Sequence, residues 1–114
     1  MASENLTITL TNRAPVSIVK ADWPVIASAK AYDSEHESQA NRTWRLTVRQ
    51  HEDGRAIVYG VYDTSFRGER DSRAGKLCAA GEDLAAAINA VARDCGCEAI
   101  AAACIADLPA EQLS

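Results

Sequence analysis

Trp44-Arg45-Leu46-Thr47-Val48-Arg49-Gln50-His51-Glu52-Asp53-Gly54-Arg55-Ala56-Ile57-Val58-Tyr59-Gly60-Val61-Tyr62 reads as a β-hairpin on its own residues. Trp44, Leu46 and Val48 alternate with Arg45, Thr47 and Arg49, the period of a half-buried strand. Beyond Asp53-Gly54, a dipeptide suited to a two-residue turn, Ile57, Tyr59 and Val61 resume the alternation. Centring the turn there sets Gln50 opposite Ile57, Val48 opposite Tyr59, Leu46 opposite Val61 and Arg45 opposite Tyr62. That register predicts one apolar face for a core. The other, wet face carries Arg45, Thr47, Arg49 and His51 beside Val58, Gly60 and Tyr62.

Upstream, Leu6, Ile8 and Leu10 alternate with three threonines, which predicts another strand over residues 5–11. Asn12-Arg13-Ala14-Pro15 is turn chemistry, and Val16 and Ile18 continue an extended segment. Val25 to Tyr32 is read as a strand in preference to a helix begun at Asp22. Asp33 to Asn41 is too polar for a core and is expected to be an exposed loop. Downstream, residues 64–81 form a charged connection punctuated by Gly68, Gly75 and Gly81, too long for a simple turn and suggestive of mobility or binding. From Glu82 the apolar positions Leu84, Ala87, Ile88, Val91 and Cys95 recur at helical spacing, and Gly96 stands where a helix stops. A shorter helix follows over Glu98 to Ala106, ended by Leu108-Pro109. The chain is read as one α+β domain, residues 1–114, strand-rich over 5–63 and helical over 82–113. An antiparallel sheet of three to five strands is expected, with one long and one short C-terminal helix on one face.

At 114 residues such a domain buries roughly 65% of its unfolded surface, enough for one modest core and too little for a large cofactor site. No cofactor is expected. The formal net charge is −4, which argues against a general attraction to polyanions. The charge is uneven. Residues 1–76 hold eleven basic and ten acidic side chains, whereas residues 77–114 hold Arg93 against Glu82, Asp83, Asp94, Glu98, Asp107 and Glu111. The N-terminal residues show neither the basic nor the apolar segment of an export signal. No apolar run approaches the roughly 18 residues of a membrane span. A cytoplasmic protein with reduced thiols and no membrane partner is therefore expected.

Candidate chemistry is sparse. Cys78, Cys95, Cys97 and Cys104 number what a tetrahedral zinc site needs, but they lack its paired spacing, and Cys95 and Cys104 lie on apolar helix stripes, so buried structural thiols are expected. Asp33, Glu35, His36 and Glu37 are read as a hydrated loop and not as a metal site. No catalytic residue is assigned, since His36 and His51 lack any nucleophile context and a pairing of Cys78 with His51 has no specific support. Trp23 and Trp44 are read as packing residues, with an anchor for a partner as the other reading of Trp23. Arg45, Arg49 and Tyr62, near Arg42 and the Arg67, Arg70, Arg73, Lys76 loop, suggest a weak single-strand platform, which Arg45–Tyr62 stacking explains as well.

Trp23-Pro-Val-Ile-Ala-Ser-Ala, Ser38-Gln-Ala-Asn-Arg, Arg49-Gln-His-Glu-Asp-Gly-Arg-Ala-Ile-Val-Tyr-Gly and Cys104-Ile-Ala-Asp-Leu-Pro-Ala-Glu resemble an uncharacterised family of small proteobacterial proteins found on chromosomes, plasmids, prophages and integrative elements. The resemblance implies an accessory protein. Small acidic proteins of such elements include inhibitors of host defence, CRISPR–Cas among it. The reading is a non-enzymatic protein-binding module that regulates or inhibits a larger complex. Its candidate partner-binding residues are Arg45, Arg49, Tyr62, Arg67, Arg70, Arg73, Glu82 and Asp83. The alternative is a small nucleic-acid-binding regulator using the Arg/Tyr face, and a homodimer through an edge strand such as residues 5–11 is compatible with both.

Overall fold

The turn at Asp53-Gly54 is one residue longer than its dipeptide suggests. His51 N donates to Arg55 O at 2.9 Å and Gly54 N donates to His51 O at 2.9 Å, so Glu52, Asp53 and Gly54 make a three-residue loop. Gly54 takes the left-handed position such loops require, with φ +95°. The structure, a computed structural model, describes residues 4–110. Among these the elements follow as β1 (Asn5–Ile8), β2 (Val16–Val19), β3 (Val25–Tyr32), β4 (Arg42–Gln50), β5 (Ala56–Thr64), β6 (Ser72–Cys78), α1 (Leu84–Cys95) and α2 (Ala101–Ala106). β3 to β6 form an antiparallel four-stranded sheet in sequence order, and β1 pairs with β2 as a separate two-stranded ribbon. No helix of the described residues is long and apolar enough to cross a membrane.

The longer turn moves the register by one residue. Gln50 faces Ala56, Val48 faces Val58, Leu46 faces Gly60 and Trp44 faces Tyr62, against the pairing expected from a two-residue turn. Because side chains alternate, one step exchanges the two faces of β5. Val58 and Gly60 now lie with Leu46 and Val48 under the helices, and Tyr62 lies beside Trp44 on that side. Ile57, Tyr59 and Val61 go to the face of Arg45, Thr47 and Arg49.

The face expected to be wet is therefore covered over much of β5 and β6. Ile8, Leu10, Ile18 and Trp23 pack on Ile57, with Leu6, Val16, Tyr59 and Leu77 around them. The cover follows from the threonine-alternating ribbon itself, whose apolar side needs burial as much as the sheet does. The charged connection also changes character, since it contains β6. Ser72 to Cys78 is a poor strand by composition, but Ala74, Gly75 and Cys78 are all buried. Gly75 is a point of close approach. A Cβ there would lie 2.4 Å from Thr9 O, and Thr11 N donates to Gly75 O at 2.9 Å while Gly75 N donates to Thr11 Oγ1 at 3.2 Å. The chain after β1 thus closes the outer edge of β6.

On the opposite face, α1 begins at Leu84, so Asp83 stands just ahead of it as the N-cap. Asp83 accepts from Ala86 N at 3.1 Å, and Gly96 ends the helix at φ 75°. Its buried stripe is Ala87, Ile88, Val91, Ala92 and Cys95, with Ala101 and Cys104 of α2 alongside. Burial of Ile88 and of Val91 contributes about 2 kcal/mol each. Gly60 lets the helix come this close, since a Cβ there would stand 2.5 Å from Cys95 Sγ and 2.8 Å from Leu46 Cδ2.

Gly60→Ala is expected to destabilise the domain by about 2 kcal/mol through overpacking in urea titrations. Gly68→Ala, at φ +84° with open space around it, should cost only the backbone strain of a left-handed alanine, about 1 kcal/mol. Equal losses would refute the close-packing account of Gly60.

Candidate functional site

The corrected register divides the residues the sequence suggested for recognition. Arg45 and Lys30, neighbours across β3 and β4, share one carboxylate. Lys30 Nζ is 2.9 Å from Glu37 Oε2, and Arg45 Nη2 pairs with Glu37 Oε1, so the 33–41 loop is drawn onto that face of the sheet. Arg49 is engaged internally, donating from Nε to Tyr59 Oη at 2.9 Å and from Nη1 to Trp23 O at 3.0 Å. Tyr62 lies on the other face, its ring 5.5 Å from Trp44 and its hydroxyl donating to Glu69 at 2.8 Å. No Arg45–Tyr62 stack and no joint Arg/Tyr platform forms. Arg73 is 3.7 Å from Asp63, and Arg67 and Arg70 stand exposed on the β5–β6 loop. Glu82 pairs with Lys76 Nζ at 2.8 Å, and Asp83 is the cap of α1. Trp23 is buried in the ribbon-side core.

The β5–β6 loop has a polar centre of its own. Glu69 accepts from Arg42 Nη2 at 2.7 Å, Thr64 Oγ1 at 2.7 Å and Tyr62 Oη at 2.8 Å, and the Arg42 guanidinium lies 4.3 Å from the Phe66 ring centroid. Asp71 takes the N–H of Thr64 at 2.9 Å. Arg42 first, then Thr64 and Tyr62, hold the Glu69 carboxyl at about 2, well below the ordinary 4.5.

The four thiols lie in the helix-side core. Burial first, then nearby carboxylates, pushes Cys78 and Cys104 up to about 11. The neighbouring Cys97 and burial together push Cys95 upward as well. Cys97 Sγ lies 3.5 Å from Val61 O and 3.8 Å from Arg45 O, across the β4–β5 pair. Cys78, Cys95 and Cys104 are poor nucleophiles for that reason, whereas Cys97, which its hydrogen bond with Cys95 shifts downward, is shielded by complete burial. His51 is 5.0 Å from Trp23 between ring centroids, and its Nδ1 accepts from Asp53 N at 3.2 Å. Among the described residues no group of three or more His, Cys, Asp and Glu side chains is placed to hold a metal ion.

Two adjoining depressions lie at the end of the sheet where β3 begins and the β4–β5 turn stands. Val25 pairs with Arg49 but Ala27 pairs with Val48, leaving Ile26 as the extra residue of a β-bulge. A bulge re-aims a side chain. Ile26 here lines two adjoining depressions of about 570 and 630 Å³ that also share Gln50 and Gly54. The first continues over Pro24, His51, Asp22 and Glu52. The second continues over Ala79, Leu84, Leu108 and Pro109, with Glu82 and Asp83. Gly54 is held against the β6–α1 connection, where a Cβ would meet that of Ala80 at 2.9 Å. The groove therefore draws on four separated segments. Glu82 and Asp83 were already visible as candidates. Ile26, Gln50 and Gly54 were not, and only the bulge and the turn bring them together. No protein family, curated protein or solved structure matches the chain.

Because the folded-state value of Glu69 is depressed, its contribution to loop order is complete above pH 4.5 and is lost as pH falls towards about 2. Ring proton signals of Phe66 and Tyr62 should shift across that window, and Glu69→Gln should show the acid-form positions at pH 7. Unchanged signals would disprove the pairing. In the same native protein all four cysteines should resist a disulfide reagent at neutral pH and react together once urea unfolds the chain.

Proposed function

We propose that the chain is a non-enzymatic protein-binding module that regulates or inhibits a larger complex by seating one segment of it in the groove around Ile26. The observation that carries this reading is the pair of adjoining depressions joined by a bulge residue, a preformed concavity with apolar and acidic lining. The mechanism is occlusion of the captured segment. Following the sequence resemblance, the complex belongs to the host of a mobile element, a defence system such as CRISPR–Cas being one instance. Nucleic-acid binding is the weaker reading. Arg45, Arg49 and Tyr62 do not share a face, and most cations near them already hold Glu37, Glu69 or Asp63.

The test is affinity capture from lysate of the natural host, comparing the parent chain with a Pro24→Arg/Glu52→Arg double variant. Both substituted positions are exposed at the groove. Nuclease treatment runs in parallel, and circular dichroism checks the fold. Capture of a defined protein should survive nuclease and fall at least about tenfold in the double variant, as expected when charged bulk fills a docking site. Arg93→Glu, on α1 beside Glu98, should leave it intact. Capture unchanged by the double variant, or abolished by nuclease alone, would overturn the proposal.

A further inference from the structure

The groove is also specific in charge. Its two depressions are lined by Asp22, Glu52, Glu82 and Asp83 and by no lysine or arginine. The nearby cations are already paired, Arg55 Nε with Asp53 Oδ2 at 2.8 Å and Lys76 Nζ with Glu82 Oε2 at 2.8 Å. Asp22 and Glu52 are exposed and have no ion-pair partner among the described residues. Between these carboxylates the floor is aliphatic, supplied by Ile26, Leu84 and Leu108, each partly buried against the helix-side core. A segment seated here meets apolar surface at its centre and uncompensated negative charge at its edges. An acidic segment would be repelled, and a wholly polar one would leave the floor dry without replacing its water by contacts.

We infer that the groove takes a short basic segment of a partner protein, one or two aliphatic side chains on Ile26, Leu84 and Leu108 with lysine or arginine beside Asp22 and Glu52. The inference rests on the docking reading above and adds the chemistry of what docks. Its shape is set by the backbone, since the bulge places Ile26 and Gly54 comes close to Ala80. Ordering cost falls mainly on the incoming segment. Edge charges of this kind speed encounter and select among partners more than they add affinity.

Three synthetic peptides with the same Leu-Ile-Leu centre, flanked by arginine and lysine, by serine, or by glutamate, are titrated into the isotope-labelled full chain. Backbone amide shifts provide both the site and the Kd. The basic peptide should shift Ile26, Gln50, Gly54 and Leu84 and bind at least about tenfold more tightly than the serine peptide. That advantage should shrink several-fold between about 50 and about 500 mM salt. Asp22→Asn with Glu52→Gln should remove most of it at low salt while leaving serine-peptide binding unchanged. Equal binding of the serine or glutamate peptide at the same amides overturns the charge assignment and leaves the docking reading standing. Shifts spread outside the groove, or no binding by any of the three, overturns both.

Discussion

Over residues 56–60, β5 has no solvent side. From Ala56 to Val61 it is an unbroken small or apolar run, and each of its faces has to be covered by something else in the chain. The helices cover Ala56, Val58 and Gly60, and the N-terminal ribbon covers Ile57 and Tyr59. Two glycines mark where the covers come closest, Gly60 under Cys95 and Gly75 against Thr9. The rest of the architecture arranges itself around this three-layer contact: β4 and β6 flank the buried strand, and β3 is pushed to the outer edge, where Asp107 of the second helical segment receives the N–H of Ser28 at 2.9 Å.

Local signals were legible in proportion to how local their cause is. The period of β4, the Gly96 stop of α1 and the polar 33–41 loop each depend on a few neighbouring residues, and each appears where the sequence places it. The turn did not read correctly, because Asp53-Gly54 promotes a two-residue loop while the hydrogen bond from His51 to Arg55 closes a three-residue one. The unbroken apolar run of β5 held the correcting signal, since a half-wet strand has no use for Val58 between Ile57 and Tyr59. β6 was hidden by its small residues, whose burial comes from partners rather than from bulk. Of the candidate site, the acidic positions Glu82 and Asp83 could be named from composition. The floor could not, because Ile26 turns towards Gln50 and Gly54 only through a bulge that exists once β3 has found β4.

The charge distribution has a simple internal logic. Most cations of the first three-quarters of the chain are committed to one carboxylate each or, for Lys30 and Arg45, to a shared one. These exposed pairs contribute little to stability singly, but they hold loops onto the sheet and neutralise its broad faces. Among the charges left without an ion pair are Asp22 and Glu52, at the sheet end bearing the Ile26 concavity. Sequence charge alone suggested an acidic helical block, whereas the folded chain adds Asp22 and Glu52 from elsewhere to the acids at the start of α1.

The ribbon that shields β5 sets an order of assembly. Its landing surface consists of Ile57, Tyr59, Gly75 and Leu77, so the ribbon, synthesised before β5 and β6, must wait for those strands before it finds its place. During that interval the nascent chain carries an uncovered oily ribbon and an unsealed sheet border, the form most open to exchange between neighbouring molecules and to capture by a chaperone.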